Sequence, residues 1–310
     1  MATATREAFG EAIVGVGADD RVVVLTGDLR DSTKTEKFRD TYPDRFVECG
    51  IAEKNMLGIA AGLALSGKVP WACSFSAFVT GRLEVVRVSI AYQEANVRIV
   101  GTHTGVGVGE DGYSQMALED IAALRALPNV AIVNPADAVE TQRAVEYLLG
   151  HRGPAFLRLT RQGVEDVNGD GYRFEFGQAV QLREGSDVAL VATGATVGEA
   201  VKAAELLASA GISARVVNVH TIKPLDQEAV LGAASECRAV VTVEDHSAHG
   251  GLGGAVAEVL ASRNGSLAPL RIIGTRTFGE SGTAAELYAK FGLDASGIAR
   301  TAREALDQVS

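Results

Sequence analysis

The chain has few cysteines, more acid than base, and no uninterrupted apolar run long enough to cross a bilayer. Three cysteines in 310 residues, Cys49, Cys73 and Cys237, are too few and too scattered for a disulfide framework, so a reducing cytoplasm is the expected compartment. Lys plus Arg total 29 against 39 Asp plus Glu, a formal charge of −10. That balance argues against nucleic acid or an anionic membrane as the main partner, although anionic substrates need only a local cluster of cations. The apolar stretch from Ala52 to Leu65 is interrupted by Glu53, Lys54 and Asn55. Met1 to Asp20 reads as an amphipathic helix carrying Glu7 and Glu11 rather than a signal peptide. There is no internal repeat and no low-complexity segment.

With 47% hydrophobic residues the chain can bury substantial cores, and its length suggests two domains of ordinary size. The β-branched run 21–26 stops at Gly27-Asp28, and 69–74, 97–102, 129–133 and 155–160 read the same way. Helical patterns lie between them at about 79–91, 114–126 and 136–150. Strands without strict alternation, separated by helices, predict a parallel sheet covered on both faces, with ligands at the carboxyl ends of the strands. Gly, Asp and Asn then accumulate, and a second series of strands follows at about 187–193, 214–219, 238–243 and 270–274. The expected organisation is therefore two doubly wound α/β domains, 1–165 and 187–310, joined by a linker over 166–186.

The most informative stretch is Glu48-Cys49-Gly50-Ile51-Ala52-Glu53-Lys54-Asn55-Met56 and the helix after it, expected to run to about Ser66. Gly58 and Gly62, with Ala60, Ala61 and Ala64, give that helix a smooth surface that another backbone can approach closely. A carboxylate in a first helical turn is ordinarily explained by the helix dipole. Here the helix is nearly all apolar, so its start is expected to be buried, and a buried glutamate needs a partner or a task.

These residues resemble the pyrimidine-binding domain of thiamine-diphosphate enzymes, most closely the transketolases. The resemblance covers the second and third of that family's three domains. It implies that Glu53 hydrogen-bonds the N1′ atom of the cofactor's aminopyrimidine, activating the cofactor by sharing a proton. Ser74-Phe75-Ser76-Ala77-Phe78-Val79-Thr80-Gly81-Arg82 follows a buried strand. Phe75 and Phe78 at i, i+3 would by themselves be core residues; the resemblance makes Phe78, and more weakly Phe75, the aromatic wall stacked on the pyrimidine. Gly81 stands where the family carries a tyrosine.

Thr102-His103-Thr104-Gly105-Val106-Gly107-Val108-Gly109-Glu110-Asp111-Gly112 is similar to the family segment that lines the sugar channel. It implies that His103 contacts substrate oxygens or phosphate and that Asp111 bonds donor hydroxyls. Gln115 replaces the family's histidine and can hydrogen-bond but not carry a proton. Arg6, Ser32 and Arg161, from three separate segments, match the phosphate end, where two guanidiniums and a hydroxyl would hold a dianion. Asp28 matches an aspartate near the cofactor.

Other motif matches are rejected. Gly107 to Gly112 fits G-x-G-x-x-G, but two acids in the turn would repel a pyrophosphate. Asp166 to Gly171 copies half a calcium loop whose twelfth position is Gly177, so a solvated linker turn is expected instead. Gly169-Asp170-Gly171 mimics the opening of a diphosphate–magnesium motif but follows no buried strand. The segment Glu244-Asp245-His246-Ser247-Ala248-His249-Gly250-Gly251-Leu252-Gly253-Gly254 has histidines three apart but no evident third metal ligand, and reads as structural.

The sequence contains no candidate diphosphate site, so the resemblance implies a split enzyme. An N-terminal transketolase subunit would hold the diphosphate and Mg2+, with no metal bound by this chain, in an α2β2 assembly. The expected reaction is transfer of a two-carbon ketol unit between phosphosugars in the pentose phosphate pathway. The alternatives are the β subunit of a 2-oxo-acid dehydrogenase, a two-carbon transferase of specialised metabolism, deoxyxylulose-phosphate synthase, or a non-catalytic protein that kept the fold.

Overall fold

The computed structural model describes residues 2–169, 171–263 and 268–309. The first domain carries β1 (Thr3–Ala4), β2 (Val22–Thr26), β3 (Phe46–Glu48), β4 (Val69–Phe75), β5 (Arg98–Thr102), β6 (Ala131–Val133), β7 (Ala155–Arg158) and β8 (Gly163–Val164). The second carries β9 (Val180–Arg183), β10 (Val188–Ala192), β11 (Ala214–Asn218), β12 (Thr221–Lys223), β13 (Ala239–Ser247) and β14 (Leu270–Thr275). All residues of β2, β4 and β5 are buried, as befits central parallel strands with helices on both faces.

The first sheet runs β12-β6-β7-β5-β4-β2-β3 and the second β14-β13-β10-β11-β9. Neither sheet respects the simple division expected from sequence. Antiparallel β12 comes from beyond residue 187 yet closes the edge of the first sheet against β6. Antiparallel β9 falls inside the expected linker and pairs with β11. At the other end of the first domain, β1 pairs with β8 and fastens the N-terminal segment beside residue 164.

Several helices are shorter or more broken than their patterns suggest. The first spans Thr5–Val16. The 79–91 pattern resolves into Ser76–Thr80, Leu83–Val85 and a π turn at Val86–Ala91. Within 114–126 only Asp120–Arg125 is α-helical. Just before that helix, Thr104 bridges Ala117 and Met116 has β-region dihedrals, so the backbone is extended where the pattern predicts a helix.

The turn expected to be solvated is exposed at Asp166, Gly169 and Gly171 but anchored at Val167 and Asn168. The Asp137 carboxylate accepts the N–H groups of Val167 and Asn168, each at 2.8 Å, and the Asn168 Nδ2 at 2.9 Å. The Tyr172 hydroxyl donates to buried Glu140 at 2.5 Å. Burial pushes the Glu140 carboxyl up to about 7, against the pull of hydrogen bonds from Tyr172, Ala136 and Asn218. Two acids at the start of helix Ala138–Gly150 thus hold the segment down, a contact between distant residues that local composition does not encode. Asp170, the centre of the rejected Gly169-Asp170-Gly171 match, lies outside the described residues.

Candidate active site

Strands β5, β4 and β2 are neighbours, so the segments leaving their carboxyl ends are brought together: His103 after β5, Phe75 closing β4, and Gly27-Asp28 after β2. Helix Glu53–Leu65 begins beside them after β3. Its entry is fixed by a side chain, because Glu48 Oε1 accepts the N–H of Asp28 at 2.7 Å and of Gly50 at 3.0 Å. Gly50 has φ +69°, which suits glycine. A Cβ on Gly27 would stand 3.0 Å from Gly50 O and 3.6 Å from Glu53 Oε1, so the two turns meet over the carboxylate.

Glu53 is buried at 5% exposure. Its only side-chain hydrogen bond among the described residues comes from Ser74 Oγ, at a long 3.3 Å. The carboxyl group therefore keeps unfilled acceptor positions, and its free oxygen is not sealed from solvent. Neither an ion pair nor a set of capping bonds accounts for it. The group is left able to accept from a further donor.

His103 is also buried, with φ +56°, a region uncommon for side chains larger than glycine. Arg6 Nη1 lies 3.2 Å from its Nε2, and Thr102 Oγ1 lies 2.9 Å from its Nδ1. A guanidinium can only donate, so Nε2 carries the lone pair and Nδ1–H donates to Thr102. Thr102 Oγ1 in turn donates to Ser74 O at 3.4 Å. The imidazole is thus held neutral in one tautomer. Burial first, then Arg6 and Arg161, push its pKa down to about 3. Through Ser74 the histidine and the glutamate share one support.

The aromatic residues form a three-ring stack. Phe75 lies 3.6 Å from the His103 ring at 21°, and Phe78 lies 5.3 Å from Phe75 at 20°. Phe75 is the middle ring and is buried; Phe78 is the end ring and only half-buried. Phe78 is consequently the one able to offer a face to a flat ligand. Gly81 leaves the adjoining position without a ring.

The cations gather around His103. Arg6 also donates to Ser32 O at 3.0 Å, while the Ser32 hydroxyl makes no hydrogen bond among the described residues. Arg161 Nη1 donates to Val108 O at 2.5 Å, and Arg161 lies 3.6 Å from Glu110 and 3.8 Å from Asp111. Burial and the charge of Arg161 both lower the pKa of Arg6. Two guanidiniums that repel each other are relieved by an anion.

The side chains of two expected residues join none of these hydrogen bonds. Asp28 is exposed, and its backbone N–H donates to Glu48. Gln115 sits on the loop rim, its Nε2 donating to Ser114 Oγ at 3.3 Å. Sequence reasoning misses Ser74, Thr102 and Glu48; their one visible signal is a polar side chain at a strand end.

The rejected motifs do structural work. Gly107 to Gly109 are buried in a 3-10 turn rather than opening a phosphate-binding helix. Glu244 accepts the N–H groups of Leu252 and Gly253 at 2.7 and 2.8 Å, capping helix Leu252–Ala261. His246 donates from Nδ1 to Ser247 O at 2.7 Å, whereas His249 is exposed. Among the described residues no three His, Cys, Asp or Glu side chains are placed to hold a metal, and no helix is long and apolar enough to cross a membrane.

Beside this cluster an apolar surface is open. A Cβ on Gly58 or Gly62 would meet nothing within 4 Å. Leu65 on the same helix is 65% exposed, and Ile51 just before it 85%. Val88 and Tyr92, along the π turn, are 58% and 80% exposed.

Comparison with known proteins gives these features a family. Residues 1–166 match the transketolase pyrimidine-binding domain and 177–298 the transketolase C-terminal domain. The chain is 42% identical over 292 residues to a 6-deoxy-6-sulfo-D-fructose transketolase subunit of Clostridium sp. (strain MSTE9), covering 94% of this chain and 90% of that protein. It is 39% identical over 305 residues to transketolase of Homo sapiens, covering 97% of this chain but 48% of the human protein. A solved split-gene transketolase, described as an inactive β4 tetramer, is 41% identical with a TM-score of 0.92, covering 99% of this chain and all of that one. The chain belongs to the transketolase family of thiamine-diphosphate-dependent transferases and corresponds to its C-terminal half, the pyrimidine-binding domain followed by the C-terminal domain.

Proposed function

We propose that this chain is the pyrimidine-binding subunit of a two-chain transketolase, moving a two-carbon ketol unit from a ketose phosphate to an aldose phosphate. The observation that carries the reading is the buried, under-bonded Glu53 at the start of its helix, together with the half-buried ring of Phe78 at the end of the aromatic stack. These residues fit an aminopyrimidine, which offers a ring nitrogen to a carboxyl group and a flat face to an aromatic. Glu53 shares a proton with N1′, and Phe78 fixes the plane of the ring. Thiamine diphosphate, when bound, supplies the electron sink for breaking and making the carbon–carbon bond.

The remaining residues bind and orient. Arg6 and Arg161 hold the substrate phosphate with the Ser32 hydroxyl, and Asp111 and Gln115 take donor hydroxyls. Neutral His103 holds Arg6 in place and, in this tautomer, receives hydrogen bonds at Nε2 rather than giving them. Asp28 flanks the cofactor from the turn after β2. The N-terminal partner chain holds the diphosphate and Mg2+, and the open Gly58/Gly62 face supports an active site that forms between chains in an α2β2 assembly. The sulfofructose name of the clostridial relative favours keeping the sugar open.

The test mixes the chain with an N-terminal transketolase subunit, thiamine diphosphate and Mg2+. Xylulose 5-phosphate serves as donor and ribose 5-phosphate as acceptor, followed by 6-deoxy-6-sulfofructose as donor. Ketol transfer that needs both chains supports the reading. Pyruvate turnover with a lipoyl acceptor, or no cofactor-dependent chemistry, overturns it.

A further inference from the structure

In an open α/β sheet the usual ligand crevice lies beyond the carboxyl ends of the strands, where the strand order reverses. In the second domain that point falls between β10 and β13, since β11 lies on one side of β10 and β13 and β14 on the other. The first domain fills it. Asn134 Nδ2 donates to Thr193 Oγ1, just past β10, at 3.1 Å, and a Cβ on Gly194 would stand 2.5 Å from Asn134. On the β13 side, buried Asp245 accepts the N–H of Val106 at 2.7 Å and of Gly107 at 3.2 Å. A Cβ on Gly105 would collide with that carboxylate at 2.1 Å.

The same loop is embedded in the second domain by its side chains. Val106, Val108, Met116 and Leu118 belong to one apolar cluster with Val241, Val243, Leu287 and Tyr288. Tyr288 OH donates to Asp245 Oδ2 at 3.0 Å and accepts from Gln162 Nε2 at 2.5 Å. Gln162 adjoins Arg161, which itself donates to Val108 O. The loop that starts at His103 and ends at Asp111 is therefore held, through its backbone N–H groups, by the domain that carries none of the assigned site residues.

We propose that Asp245, backed by Tyr288 and Gln162, is a positioning clamp for the substrate loop, so that the second domain uses its ligand crevice to fix the loop bearing Asp111. The inference rests on the proposed function only for its catalytic readout. Asp245 itself touches no substrate.

Two variants test it. Asp245→Asn places an amide where two N–H groups and a hydroxyl converge, leaving at least one donor facing a donor. Tyr288→Phe removes one hydroxyl while keeping the ring in its apolar cluster, and serves if the first variant does not fold. In the full-length chain alone, amide hydrogen exchange is expected to quicken at least tenfold at 105–109, with the strands of both sheets unchanged. In the two-chain complex, donor KM is expected to rise at least fivefold while the concentration of thiamine diphosphate giving half-maximal rate stays within twofold. A uniform increase in exchange over the second domain, or unchanged exchange and donor KM in Tyr288→Phe, overturns the clamp. Because exchange is read without a partner or substrate, a wild-type complex lacking ketol transfer defeats the functional reading and leaves the clamp to be decided by exchange.

Discussion

Replacing Glu53 by Gln separates catalysis from folding more cleanly than any other single change. The amide keeps the size of the side chain and can still meet Ser74, but it cannot share a proton with a ring nitrogen. Proton transfer by a positioned group contributes about 10²- to 10⁴-fold, so kcat of the two-chain complex should fall by that factor, a barrier increase of about 3–5 kcal/mol. Stability should behave differently. The lost terms are small: about 0.3–1 kcal/mol for a negative charge at a helix start and about 1 kcal/mol if the Ser74 bond weakens. Against them stands the relief of a buried carboxylate that has one hydrogen bond at 3.3 Å. The net change should lie within about 1 kcal/mol, a Tm shift of roughly 2–4 °C in either direction. The assays are ketol transfer with saturating thiamine diphosphate and thermal unfolding of the chain alone. Turnover within tenfold of wild type would refute the assignment, and so would collapse of the fold, which would make Glu53 a structural residue.

Arg6→Ala should raise KM for a phosphorylated donor roughly 10- to 100-fold, the value of a charge-assisted hydrogen bond, and leave an unphosphorylated ketose unaffected; equal losses for both donors would contradict a phosphate site. The same change should raise the His103 pKa above about 3, read by NMR, because one of the charges that depress it is gone. Buried His220 titrates near 4, below its ordinary 6.5, because burial disfavours the cation. Its contribution to stability is complete above 6.5 and lost as pH falls toward 4, amounting to about 2 kcal/mol by pH 5. Denaturant unfolding of His220→Gln should therefore weaken less between pH 7 and 5 than wild type, and parallel curves would count against the shift. Gly58→Leu adds a side chain where nothing lies within 4 Å, so the chain alone should fold normally while co-elution with the partner subunit is lost; an intact complex would place the interface elsewhere.

The first domain could be read from sequence because its information is local. Buried parallel strands are continuous β-branched runs, and Glu53, Phe75, Phe78 and His103 each sit where such a run stops or a helix starts. Arg6, Ser32 and Arg161 could be named only through family resemblance, since nothing local distinguishes a lone arginine or serine from an ordinary surface residue. What only the tertiary structure decided is long-range pairing. The fastening of 167–172 to Asp137 and Glu140, the crossing of β12 into the first sheet, and the Asp245 carboxylate under the 105–107 turn join residues 30 to 139 positions apart. Hydrophobic periodicity reports which face of an element is dry, not which distant element dries it. The helical pattern at 114–119 misleads for that reason: Met116 and Leu118 are apolar because the second domain covers them in an extended segment.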